Sequence, residues 1–352
     1  MSRVFVAMSG GVDSSLAAAL LVDRGEDVVG VWMRLTPAGF ASDAPRCCGT
    51  SEAGEQARRA AAHLGIPFYA LDYAELFGRE VVDRFVQAYA SGETPNPCIA
   101  CNQHVKFDAL LRDVIGKFGA DRLATGHYAR VVEDGGRRRL LRARDASKDQ
   151  SYALYSLGQR ELARLELPIG ELSGKDETRA LATSYGLPNA AAAESMDICF
   201  LGGDYRGFVR ERAPEAFVPG PVVRADGARI GAHGGLATLT VGQRSGVGIA
   251  TGERLYVLRL DLARNEAVVG TRAEVRARAY ALRDLRWTGA APAGDLRTSA
   301  ALRYRGVPSP CVVRTGDAEL LLDEPALVAP GQAAVFYDGD EVIGGGVIDR
   351  AA

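Results

Sequence analysis

Ser9-Gly10-Gly11-Val12-Asp13-Ser14-Ser15 is the stretch on which the reading of this chain turns. It follows the apolar run Val4-Phe5-Val6-Ala7-Met8 and opens into SSLAAALLVDR, so it joins a core strand to a helix. Two glycines let the backbone turn tightly, and successive amide N–H groups can then converge on an anion at the helix N-terminus. Ser9, Ser14 and Ser15 can add hydroxyl donors to phosphate oxygens, and Asp13 can hold a magnesium ion against them. A Walker loop requires the lysine of G-x-x-x-x-G-K-[ST], and this loop has none. The absence points away from γ-phosphate transfer. Cleavage between the α- and β-phosphates, with AMP passed to an oxygen, fits better.

Working outward, strand and helix alternate through the first 130 or so residues. Arg3–Met8 reads as a strand, Ser14–Arg24 as a helix closed by Gly25, and Asp27–Leu35 as a second strand. A helix over Ser51–Leu64 with Ser51 at its N-cap, a strand at Phe68–Leu71 and a helix at Ala74–Ala90 follow. Asn102–Phe118 reads as a helix capped by Asn102, and Arg122–Thr125 as a fourth strand. This predicts an α/β fold, a doubly wound parallel sheet with ligands at the carboxyl ends of its strands. Arg137–Arg142 looks like part of a hairpin, with helices expected near 151–157, 159–164 and 175–185. From Pro219 onward, short β-rich runs separated by glycine and proline predict two small β-rich or β-barrel domains. The expected division is 1–203, 204–278 and 279–352. Residues 36–49 lack periodicity and are expected to form a mobile loop.

Six cysteines occur among 352 residues, at 47, 48, 98, 101, 199 and 311. No stretch approaches the roughly 18–20 apolar residues of a membrane span, so a cytosolic protein with at least some thiols is expected. Net charge is −2, which gives no global case for nucleic-acid binding, so any RNA-binding face must be a local patch. Cys98-Ile99-Ala100-Cys101 follows two stiffening prolines and borders a helix start, where the dipole stabilises a thiolate and makes it reactive. A C-x-x-C pair also suits a redox couple or half a zinc site, but no second pair supplies the remaining zinc ligands. Cys199, between Ile198 and Phe200, reads in isolation as a core thiol within a strand-like run. Cys47, Cys48 and Cys311 are assigned to structure or chance, with accessory sulfur or metal chemistry left open for the adjacent pair Cys47-Cys48, and His63, His104 and His233 to structure.

Nine strings, spread in order over nearly the whole chain, resemble one family. They are SGGVDSS (9–15), GRE…TPNPC-x-x-CN…KFD (78–108), ATGHYAR (124–130), KDQSYALY (148–155) and SMDICFLG (195–202). TVGQRSGVGI (240–249), LRYR (302–305), PGQAAVFY (330–337) and GGGVI (344–348) complete the set. Together they are similar to the tRNA-specific 2-thiouridylases, within the ATP-pyrophosphatase loop superfamily. The resemblance implies that Ala7, Met8, Ser9, Gly10, Gly11, Val12, Asp13, Ser14, Met33 and Gly126 surround ATP. It implies a persulfide on Cys199, with Cys101 as its catalytic partner. Asn96, Pro97 and Cys98 would lie against the target base, and His127, Lys148, Asp149, Gln150, Arg303, Tyr304 and Gln332 against tRNA. A sulfur-donor protein or desulfurase relay would load Cys199. The partner is the tRNA anticodon stem-loop, not DNA and not a membrane.

That assignment makes chemical sense. The C2 oxygen of uridine is a poor leaving group until it carries AMP, after which a soft sulfur nucleophile can displace it. A base stacked in the anticodon loop cannot reach such a site and must flip out. Many members of the family carry an aspartate where this chain has Cys98. That departure motivates a second expectation, an iron–sulfur cluster on Cys98, Cys101 and Cys199. Two rivals remain: an amide-forming adenylating ligase, which needs no paired cysteines, and a non-catalytic ATP-sensing tRNA-binding protein.

Overall fold

The computed structural model describes residues 2–36, 50–192, 198–247 and 254–351. The loop expected beyond Thr36, with Cys47 and Cys48, lies outside them, as does most of the run preceding Cys199. Among the described residues, seven strands arise before residue 203. They are β1 (Arg3–Ala7), β2 (Asp27–Arg34), β3 (Phe68–Asp72), β4 (Arg122–Thr125), β5 (Ala129–Asp134), β6 (Arg137–Arg142) and β7 (Leu165–Glu166). Five of them form a sheet ordered β3-β2-β1-β4-β7 in which every pairing is parallel. Side chains alternate across β1. Val4 and Val6 join Leu16, Ala17 and Ala57 from the helices α1 (Val12–Asp23) and α2 (Ser51–His63). Phe5 instead joins Phe77, Phe85, Val105 and Leu110 on the opposite face. Helices therefore cover both faces, as a parallel sheet requires.

Two helix starts differ from the sequence expectation. α2 is capped by Thr50, whose hydroxyl accepts from Ala53 N at 3.3 Å, and not by Ser51. The helix expected from Asn102 begins at Pro97, with Asn96 Oδ1 accepting from Cys98 N at 3.1 Å. Asn followed by Pro is a strong start signal, because proline's missing donor costs nothing at the first helical position. Asn102 is instead buried and donates to Ala153 O at 3.0 Å. Cys98 thus occupies the first turn and Cys101 lies one turn further in. Wider π-type turns run over Gly78–Asp83 and Cys101–Leu110, a winding often found at functional sites.

The chain then builds a four-stranded sheet from Gly220–Arg224, Arg229–His233, Tyr256–Asp261 and Glu266–Gly270. Six later strands, from Ala277–Trp287 to Glu341–Ala351, close into a barrel when the first pairs antiparallel with the last. The hairpin β5–β6 does not stay with the parallel sheet. It adds to the barrel's outer edge through Glu341 opposite Leu141 and Val342 opposite Leu140. Arg137 and Arg139 both reach the buried Glu341, at 2.5 and 2.7 Å.

Candidate active site

The glycine loop sits at the carboxyl end of β1, between β2 and β4. Gly10 adopts φ +84°, and a Cβ there would fall 2.4 Å from Ala53 O in the first turn of α2. No other residue fits. Ser14 Oγ accepts from Ser9 N at 3.0 Å and donates to Gly11 O at 3.1 Å, while Ser15 Oγ donates to the same carbonyl at 3.2 Å. Asn189 braces the loop from a distant segment, donating to Gly10 O at 2.7 Å and Ser15 Oγ at 2.9 Å. Anchoring that carbonyl fixes the peptide plane that carries the next amide. Gly126, after β4, is packed so closely that a Cβ would lie 2.6 Å from Ser14 N. Met8 and Met33 are buried at neighbouring strand ends.

Asp13 is already engaged. Both carboxylate oxygens accept from Lys175 Nζ, at 2.7 and 2.9 Å, and Oδ1 accepts from the Tyr128 hydroxyl at 2.7 Å. The Tyr128 hydroxyl also lies 2.8 Å from Thr178 Oγ1. A single carboxylate at a phosphate loop suits magnesium that arrives with ATP, since that ion keeps one or two protein carboxylates beside phosphate ligands.

Cys98 and His127 are linked through Lys106. Its charge lowers the pKa of both, and its Nζ donates to Asn102 Oδ1 at 3.0 Å. Burial, with Lys106 adding to it, holds the His127 imidazole well below its usual value. The ring has Thr125 Oγ1 at 2.7 Å and lies 5.9 Å from the Phe107 ring. Cys98 is exposed, yet desolvation pushes its thiol above the ordinary value, with Lys106 pulling it partway back. The lowering expected from the helix dipole is therefore overridden at Cys98.

Cys101 is buried, and Cys199 is half-buried in a turn rather than a strand. Both pack with one hydrophobic cluster, where Phe200 stacks edge-on against Phe77 at 5.8 Å and Phe85 at 5.2 Å. Among the described residues no three His, Cys, Asp or Glu side chains gather in metal-binding geometry. The expected cluster set of Cys98, Cys101 and Cys199 is not assembled here, because Cys101 faces the core while Cys98 faces solvent. Cys311 is buried in a barrel strand.

Of the residues expected at tRNA, Gln332 and Tyr304 touch the N-terminal segment from the barrel. Gln332 Nε2 donates to Thr94 O at 2.5 Å, just before Asn96 and the buried Pro97. Tyr304 is half-buried 6.0 Å from the Tyr152 ring, and Arg303 beside it is exposed. Gln150 Oε1 accepts from Tyr128 N at 2.9 Å. Asp149 has a structural duty: its carboxylate accepts from Ala143 N, Ser151 N and Ser151 Oγ. Lys148, one residue earlier, is half-buried.

Comparison with known proteins fits this geometry. Family models described as the tRNA methyl transferase HUP domain, the tRNA methyl transferase PRC-barrel domain and the aminomethyltransferase β-barrel domain match residues 2–203, 206–271 and 277–348. The tRNA-specific 2-thiouridylase MnmA of Chloroflexus aggregans is 47% identical over 357 residues, covering 99% of each chain. That of Moorella thermoacetica is 46% identical over 363 residues, again covering 99% of each. The chain belongs to the tRNA-specific 2-thiouridylase family. A solved 4-thiouridine synthetase–RNA complex with bound ATP covers 61% of this chain and 51% of its own, at 18% identity and a TM-score of 0.34. That likeness is too distant to argue from.

Within this 2-thiouridylase, sequence reasoning missed four residues: Lys106, Tyr128, Lys175 and Asn189. Tyr128 and Lys106 stood inside the quoted strings ATGHYAR and KFD without a role. Lys175 and Asn189 lie 162 and 179 residues from their loop partners, so no local pattern marks them. Scarcity was the available signal for Lys175, one of only four lysines in the chain.

Proposed function

We propose that this protein performs ATP-dependent 2-thiolation of the wobble uridine of tRNA. The uridine C2 oxygen is adenylated first, and sulfur carried on Cys199 then displaces AMP. The observation that carries this reading is the packing of the phosphate loop against Gly126, with His127 in turn against the helix that bears Cys98 and Cys101. Nucleotide and thiol chemistry therefore share the carboxyl end of one parallel sheet, where such folds place ligands.

In the proposed reaction the loop amides and serine hydroxyls orient the phosphates, and Asn189 and Gly126 keep the loop in place. Asp13 would hold magnesium arriving with ATP, which when bound would neutralise charge on the departing pyrophosphate. The Cys199 persulfide sulfur attacks C2, and the bond from C2 to the adenylated oxygen breaks with its electron pair leaving on AMP. Cys101 then attacks Cys199 Sγ, and the transferred sulfur stays on the base. The neutral imidazole of His127 leaves Lys106 as the cation beside Cys98. Residues 1–203 would do the chemistry, while 204–278 and 279–352 would hold tRNA, with Arg303, Tyr304 and Gln332 at the seam. Among the described residues no helix is long and apolar enough to cross a membrane. In this reading the protein works on tRNA in the cytosol and a sulfur-donor relay loads Cys199.

The test is mass spectrometry of nucleosides from tRNA incubated with protein, ATP and a persulfide donor. Appearance of 2-thiouridine at the wobble position, lost in Cys101→Ser and Cys199→Ser, is expected. Transfer of ammonia or an amine onto an adenylated acyl group, surviving both serines, would identify an amide-forming ligase instead.

A further inference from the structure

The phosphate loop lacks the lysine that Walker loops carry, yet a lysine stands at it. Lys175 is the first residue of the helix Lys175–Ser184, and Gly174 precedes it as the cap. A cation at that position opposes the helix dipole, so an anion has to hold it there. Asp13, in the first turn of α1, does so with both oxygens, and the Lys175 side chain is only 10% exposed. The N-terminal ends of two helices thus point at one spot that also holds a nearly buried ammonium. Asp13 with its Tyr128 partner is the counter-charge.

We propose that Lys175 is the missing phosphate-loop lysine, supplied from a different helix, and that it binds the β,γ-phosphates of ATP and the pyrophosphate that leaves. This rests on the ATP-dependent reading above. Like charges repel, so a divalent cation taking Asp13 cannot share both oxygens with Lys175. A polyphosphate bound at the loop would then be the anion left to pair with Nζ. During adenylation the uridine oxygen bonds to the α-phosphorus while the bond to the α,β-bridging oxygen breaks. The electron pair stays on pyrophosphate, where Lys175 meets it. AMP lacks the phosphates that Lys175 would touch, which makes the assignment measurable by binding alone.

The test is calorimetry on the full chain with ATP, inorganic pyrophosphate and AMP in the presence of magnesium. Lys175→Met should weaken ATP and pyrophosphate at least about tenfold and leave AMP within about twofold, while Lys175→Arg should fall between. Because Lys175→Met strands the Asp13 carboxylate and can fail to fold, Asp13→Asn is also compared with Asp13→Asn/Lys175→Met. The same pyrophosphate-selective loss is expected between those two. Equal losses for all three ligands, or none, would overturn the proposal and leave Lys175 a structural partner of Asp13. A wild-type protein that binds ATP but never thiolates tRNA would sink the proposed function instead, with the binding ratios still reading Lys175.

Discussion

A single methyl group measures how tightly the nucleotide loop is held. At Gly126 it would sit 2.6 Å from Ser14 N and 2.7 Å from the Asp13 carbonyl carbon, both backbone atoms that no rotamer change can move. Gly126→Ala should therefore displace the loop and cut ATP affinity at least about tenfold in calorimetry, while circular dichroism stays native. The neighbouring His127 reports on acid. Its imidazole is held well below the ordinary 6.5 by burial and by Lys106, so the unfolded chain binds the extra proton as the pH drops under about 6.5. Stability from the neutral ring is present above that pH and is lost as the pH falls further. Urea titrations between pH 7 and 5 should show a shallower decline for His127→Gln than for wild type. His104 and His233, lowered by burial too, contribute equally to both proteins. At Cys98 the same Lys106 works the other way against burial, so Lys106→Met should shift the pH midpoint of iodoacetamide alkylation upward. A midpoint unchanged in the variant would separate Lys106 from the thiol.

At the scale of one element, the start of the cysteine helix decides what each thiol experiences. Asn96 is its cap, so Asn96→Ala should destabilise the protein by about 1 kcal/mol in urea unfolding, and Asn96→Asp by much less. Should Asn96→Asp keep stability but lose thiolation, the amide does more than cap, as the proposed base contact requires. The two prolines and the asparagine of Thr94-Pro95-Asn96-Pro97 contained this start, but the amphipathic run after Asn102 masked it. Strands and helices around the glycine loop were legible because each rests on local periodicity and a tight turn. The electrostatics were not. A dipole argument from sequence lowers the Cys98 pKa, whereas in the folded protein desolvation outweighs Lys106 and raises it. Cys101 was expected at a reactive edge and is buried. Lys175 was invisible for the same reason: only tertiary folding brings residue 175 to residue 13.

Across the whole molecule, many contacts tie the barrel to the parallel-sheet segment, Tyr152 to Ala333 O and Gln159 to Thr288 O among them, and two clusters of them carry charge or register. Near the cysteine helix, Arg283 from the barrel grips Glu93 with two guanidinium nitrogens, at 2.7 and 2.9 Å, and Gln332 holds Thr94. Arg283→Met should therefore raise the KM for tRNA in the thiolation assay while calorimetric ATP affinity stays unchanged. On the other side, β5–β6 leaves the sheet's segment and pairs with the barrel, a link between residues some 200 apart that has no local signature. The expected division at residue 203 keeps this hairpin with the sheet's segment, and its pairing to the barrel adds a link that division does not describe. Glu341 is the keystone of this second link, buried under Arg137 and Arg139 from β6. Removing one partner of a buried charged cluster leaves the others poorly solvated, at a cost of about 3 kcal/mol. Here both arginines are partly exposed and can turn to water, so the loss for Glu341→Ala should fall nearer 2 kcal/mol. If the hairpin mechanically couples the two bodies, the variant should also unfold in two calorimetric steps where the wild type gives one. One step at an unchanged temperature would mean that Glu341 is replaceable and that the β-pairing of Leu140 and Leu141 holds the seam without it.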